Sequence, residues 1–178
     1  MNVFVLNSGR CGSTTFIKAC AHITNYSSAH EFLLTQTGYK RLAYPENHIE
    51  ADNRLSWFLG RLDERYGDSA FYVHLSRNKK AAAESFARRI DFGILKAYEQ
   101  GILMHESHQL PAEEIALDYL DTVSSNIRLF LKDKTRKMDF SLENAKEDFK
   151  VFWQSIGAQG DLSAALTEWD TAYNASEV

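Results

Sequence analysis

The sequence predicts an α/β fold in which a parallel β-sheet is flanked by helices. Three observations predict it. Short apolar strands alternate with amphipathic helical stretches along the chain. Residues 3–6 (Val-Phe-Val-Leu) and 70–75 (Ala-Phe-Tyr-Val-His-Leu) are nearly continuous apolar runs, as in strands covered on both faces. Each run gives way at once to a polar segment that opens a helix.

In chain order, residues 3–6 form a buried strand that stops at Asn7-Ser8-Gly9. Ser13 and Thr14 offer N-cap chemistry for a helix to about residue 23. Residues 27–34 fit either a second short strand or a loop at a strand end. From about residue 49 to 66, Leu55, Phe58, Leu59, Leu62 and Tyr66 follow helical spacing, and Gly67 ends the stretch. The strand at 70–75 precedes an alanine-rich helix over about 78–90. A long helix over 112–132 carries Ile115, Tyr119, Leu120, Val123 and Ile127 on one stripe, with Pro111 before its first turn and Glu113 and Glu114 within it. A last strand over 137–140 leads to helices over about 142–156 and 162–173.

With 178 residues the chain reads as one domain, and 44% hydrophobic with 25% charged residues excludes a disordered or disulfide-scaffold chain. A net charge of −4 argues against coating nucleic acid or an anionic membrane, so any anionic ligand needs a local cluster of donors and cations. No stretch approaches the ~20 apolar residues of a membrane span, and the N-terminus has no basic leader region. Cys11 and Cys20 are too far apart for a disulfide if the first helix forms, which with the absent leader favours a cytoplasmic setting.

In parallel sheets ligands bind beyond the carboxyl ends of strands. After the first strand comes Asn7-Ser8-Gly9-Arg10-Cys11-Gly12-Ser13-Thr14-Thr15. Its glycines permit a tight turn, its hydroxyls and helix-start amides are anion donors, and Arg10 adds a cationic fork. That is a phosphate or sulfate cradle. It is not a Walker A loop, which needs a Gly-Lys-Ser/Thr. Nor is it a phosphatase loop, because Ile17 stands where a cysteine nucleophile would want its arginine; Cys11 reads as a small loop residue and Cys20 as core. After the strand at 70–75, Arg77 stands at the strand end and Ser85 follows eight residues later on a helix of small residues.

Together these two segments resemble the sulfotransferase superfamily that uses 3′-phosphoadenosine 5′-phosphosulfate (PAPS). Arg10-Cys11-Gly12-Ser13-Thr14 matches its 5′-phosphosulfate loop, and Arg77 with Ser85 matches its 3′-phosphate motif, in the same order along the chain. The resemblance covers about residues 1–35 and 70–90. It implies a P-loop NTPase-like three-layer architecture and transfer of a sulfuryl group from PAPS to a hydroxyl or amine. The product would be adenosine 3′,5′-bisphosphate, with no metal required. Arg10 would stabilise the leaving group; Gly12, Ser13, Thr14 and Thr15 would hold the 5′-phosphate, and Arg77 and Ser85 the 3′-phosphate. A general base is also implied. In glutamate-using members it often follows the second strand, where this chain has His30-Glu31; Glu31 is the first choice and His30 the second. A small-molecule or saccharide acceptor is implied, and about residues 92–111 would form a lid over it.

The chain is far shorter than typical cytosolic members, which implies a reduced or different acceptor-binding part, and it departs from the family's motifs in two places. Thr15 stands where an aromatic often stacks on adenine, and Gly157-Ala158-Gln159-Gly160-Asp161 lacks the basic residues of the C-terminal loop of cytosolic members. Two other readings stay open: a non-catalytic nucleotide-binding module of the same fold, and a P-loop-like small-molecule kinase. His74 reads as core or as a residue just behind the site, His105-Glu106-Ser107-His108 as a polar loop rather than a metal site, the basic run 132–137 as a helix end and solvated loop, Trp57 as core, and Trp153 and Trp169 as packing. The sequence specifies neither the acceptor nor the oligomeric state.

Overall fold

The computed structural model describes residues 1–106, 109–171 and 173. Five strands form one all-parallel sheet: β1 (Val3–Leu6), β2 (Ser27–His30), β3 (His48–Ala51), β4 (Phe71–Ser76) and β5 (Lys137–Ser141), in the spatial order β2-β3-β1-β4-β5. The α/β expectation therefore holds, and residues 27–30 prove to be one of the two edge strands. β1 lies at the centre because all four of its side chains are apolar and can be buried on both faces.

The pleat of β1 sends Val3 and Val5 to one helical layer and Phe4 and Leu6 to the other. The first layer comprises α1 (Ser13–Cys20), α6 (Ala145–Ser155) and α7 (Leu162–Thr167). Its centre is Phe16, whose ring lies 4.9–6.1 Å from those of Phe140, Phe149, Phe152 and Trp169 in edge-on contacts. The second layer comprises α2 (Leu59–Tyr66), α3 (Lys79–Ala87), α4 (Gly93–Ala97) and α5 (Ala112–Leu131), and buries the predicted α5 stripe of Ile115, Tyr119, Leu120, Val123 and Ile127. Because α1 leaves β1 toward one layer while α3 leaves β4 toward the other, the loops after these adjacent strands part and leave a crevice between them.

The long helix expected over 49–66 is not there. Residues 48–51 are strand β3, Asn53–Trp57 is a 3₁₀ turn, and the helix begins only at Leu59. Residues 48–52 alternate polar and apolar: Ile49 and Ala51 enter the α1 layer, while His48, Glu50 and Asp52 are buried on the opposite face. That alternation marks a strand, but charged residues on an inner face disguised it. Trp57 is 40% exposed rather than core, because the 3₁₀ turn points it outward. Trp153 and Trp169 do pack in the core. At the end of α5, Lys137 Nζ donates to the carbonyls of Leu131 (2.6 Å) and Lys132 (2.8 Å), so the basic run does serve a helix end. Ser107 and His108 lie outside the described residues. No helix among the described residues is long and apolar enough to cross a membrane.

Candidate functional site

A cleft of about 620 Å³ opens beyond the carboxyl ends of β1, β2, β3 and β4. It is within the range of small-molecule sites. Most of the residues singled out in the sequence converge on it. Arg10, Gly12, Ser13, Thr14 and Thr15 line it from the β1–α1 loop, His30 and Glu31 from the end of β2, and Arg77 from the end of β4.

The β1–α1 loop is pinned from several directions. Asn7 Oδ1 accepts the Gly9 amide at 2.9 Å, Ser56 Oγ donates to the Asn7 carbonyl at 3.1 Å, and Tyr119 on α5 donates to the Ser8 carbonyl at 2.8 Å. Gly12, not Ser13 or Thr14, is the N-cap of α1. It has φ +90°, and no side chain caps the helix. This differs from α3 and α7, whose caps Asn78 and Asp161 accept backbone amides at 3.1 and 2.9 Å. Serine and threonine are therefore left as helix-start residues that line the cleft, where amides and macrodipole favour an anion. A side chain at position 12 would need that left-handed backbone and would meet Leu142 Cδ1 at 2.7 Å.

The two sequence segments meet through Arg10. Its Nε donates to Ser85 Oγ at 2.9 Å, and Arg77 donates to the Arg10 carbonyl at 3.3 Å. Arg89, which no sequence motif singled out, also lines the cleft. Burial first, then the like charges of Arg89, Arg77 and Arg88, lowers the pKa of the Arg10 guanidinium from its ordinary value. Such crowding is relieved when an anion enters, so the cations form one electropositive wall. Ser85 is 3% exposed and reaches the cleft only through Arg10. Cys11 is buried and lines a smaller cavity of about 320 Å³ on the far side of the loop. Burial pushes its thiol up to about 12, so it is no nucleophile.

His30 Nε2 lies 3.1 Å from Ser13 Oγ of the cradle, and opposite the cationic wall Glu31 Oε1 accepts from Arg54 Nη1 at 2.8 Å. Glu31 adopts the left-handed conformation at φ +58°. Asn53 and Arg54 follow β3 into the cleft and escaped the sequence reading because β3 itself did. The remaining wall is apolar or aromatic: Phe86, Phe92, Ile94 and Leu95 on one side, Trp169 and Tyr173 on the other. The indole N–H of Trp169 is buried with no acceptor among the described residues. His74 sits away from the cleft, buried on β4 with Nδ1 3.5 Å from Asp139 Oδ1. Among the described residues no group of three or more His, Cys, Asp or Glu is arranged to hold a metal ion.

No family model matches the sequence, and no curated protein does. Among solved structures, the sulfotransferase domain from the curacin biosynthetic pathway superposes with a TM-score of 0.67, covering 96% of this chain and 78% of that one at 13% sequence identity. At that identity the likeness establishes the fold, which is sulfotransferase-like.

Proposed function

We infer that the protein is a sulfotransferase that moves a sulfuryl group from PAPS to a hydroxyl or amine of a small-molecule or saccharide acceptor. One observation carries the reading. The Arg10–Ser85 bond joins the two segments that resemble the family's 5′- and 3′-phosphate motifs into one cationic wall, opposite a carboxylate. A donor with phosphates at both the 3′ and 5′ positions of one ribose suits a wall whose cations come from two strand ends better than a triphosphate does. The fold supports the same class of enzyme.

In this reading Gly12, Ser13, Thr14 and Thr15 hold the 5′-phosphate and Arg77 the 3′-phosphate, with Ser85 acting through Arg10, whose Nε donates to it. Arg10 spans the two and stabilises charge on the leaving phosphate oxygen. Trp169 or Phe86 offers an aromatic edge or face to adenine in place of the aromatic that Thr15 replaces. Glu31 uses one carboxylate oxygen on Arg54, leaving the other for the acceptor proton. As the acceptor oxygen bonds to sulfur, the bond from sulfur to the 5′-phosphate oxygen breaks and the proton passes to Glu31. His30, engaged with Ser13, belongs to the cradle side. The described part of the expected lid, residues 92–106 and 109–111, covers the acceptor in this reading, since Phe92, Ile94 and Leu95 supply the apolar wall. The two free, buried thiols suit a reducing cytoplasmic setting.

Turnover of labelled PAPS against a panel of phenol, alcohol, sugar and amine acceptors tests the reading. Transfer that drops in Glu31→Gln and persists in His30→Ala is the expected result. Binding of the nucleotide without transfer to any acceptor would favour the non-catalytic module, and phosphoryl transfer from ATP the kinase.

A further inference from the structure

Behind the cleft, β3 and the residue after it carry two fully buried carboxylates on one face, Glu50 and Asp52, each 0% exposed. Burying a carboxylate is costly, and a well-packed apolar pair in its place is often neutral or better. What an apolar pair cannot supply is a fixed acceptor for a backbone amide, and each carboxylate does this next to one partner of the Glu31–Arg54 pair.

Glu50 Oε1 accepts the amide of Phe32, the residue after Glu31, at 2.9 Å. Its other oxygen lies 3.0 Å from His48 Nε2, and His48 Nδ1 lies 2.9 Å from Ser27 Oγ at the start of β2. Asp52 Oδ1 accepts the amide of Arg54 at 2.8 Å, while Oδ2 pairs with the buried Arg41, itself bonded to Tyr44 OH at 3.1 Å. The rings of Tyr44 and His48 stack 5.6 Å apart, closing the two carboxylate sites into one layer beneath the 31–47 loop. Glu31 sits where this layer meets the cleft. Its own amide donates to the Ala51 carbonyl at 3.2 Å, the next amide is held by Glu50, and its backbone occupies a left-handed conformation that a non-glycine residue adopts only at a cost.

We propose that Glu50 and Asp52 are positioning residues for the reaction: by clamping the Phe32 and Arg54 amides, they hold the Glu31 carboxylate and the Arg54 guanidinium in register across the cleft mouth. Neither carboxylate touches the cleft. The proposal rests on the reading of Glu31 as base, and its structural half can be tested apart from turnover.

The test combines amide hydrogen exchange, transfer kinetics and nucleotide binding. In the wild-type protein the Phe32 and Arg54 amides exchange slowly, and free exchange at loop rates overturns the proposal without any variant being made. Glu50→Leu removes the acceptor while keeping bulk. It is expected to speed Phe32 exchange and lower kcat by about tenfold or more, with adenosine 3′,5′-bisphosphate affinity within about twofold of wild type. Glu50→Gln, whose amide oxygen can still accept, restores most of both. Parallel loss of kcat and of bisphosphate affinity would indicate a merely structural role and contradict the proposal, as would an unchanged kcat in Glu50→Leu. If the wild type transfers no sulfuryl group, the sulfotransferase reading fails, while the exchange data still decide whether the carboxylates clamp the loop.

Discussion

The two walls of the cleft are built in different ways. The cradle wall is made of local chemistry: a glycine cap, three hydroxyls and an arginine within six residues, joined by one side-chain bond to Ser85. The opposite wall is made of side chains backed by a buried polar layer. Glu31 is held by Arg54, and both are held from behind by the buried carboxylates of Glu50 and Asp52, in the stretch of chain between them. The first depends on the backbone shape of one loop; the second depends on a buried polar layer that must be whole. The cradle wall should therefore govern nucleotide affinity, and the Glu31 wall turnover.

Substitutions that separate the two functions sharpen this comparison. The largest effect is expected in Glu31→Gln, with kcat lowered by roughly 100-fold or more and bisphosphate affinity unchanged in a titration. A comparable loss of affinity would mean that the walls are not separate. Gly12→Ala works in the opposite sense. Its φ of +90° and the approach to Leu142 should cost about 1–2 kcal/mol and weaken bisphosphate binding, without changing the pH dependence of kcat. Thermal melting and calorimetry read the two effects side by side, and wild-type affinity in the Gly12→Ala variant would contradict the role given to the cap.

The smallest effect lies outside both walls. Burial lowers the His74 pKa from its ordinary value near 6.5, with Asp139 pulling the other way. In the window between the lowered folded value and 6.5 the unfolded chain binds the proton more readily. The stabilising contribution of neutral His74 is thus full above about pH 6.5 and falls as the pH drops toward the folded value. His74→Gln should flatten the decline in Tm between about pH 7 and pH 5 by a small amount; a steeper decline would contradict the assignment.

The same contrast explains what the sequence made legible. β1 and β4 are apolar on both faces, and the residues that follow each are contiguous, so strand, loop and chemistry could be read together. β3 presents Ile49 and Ala51 to one side but His48 and Glu50, followed by Asp52, to the other, and helical spacing further on drew the boundary across it. Missing β3 meant missing Asn53 and Arg54. Arg89, Trp169 and Tyr173 reach the cleft only through packing of distant segments, and no local pattern marks them. Ser13 and Thr14 read as the cap of α1 because hydroxyls usually cap helices, whereas a left-handed Gly12 does so and leaves the hydroxyl residues lining the cleft.

The central claim is that the cationic wall is built for two separate phosphates on one nucleoside. Calorimetric titration of the wild type and of Arg77→Ala with adenosine 3′,5′-bisphosphate, 5′-AMP and ATP tests it most directly. The bisphosphate is predicted to bind most tightly, and Arg77→Ala to weaken it by about 10- to 100-fold while barely changing 5′-AMP. ATP binding as tightly as the bisphosphate, or equal losses for bisphosphate and 5′-AMP in the variant, would contradict it.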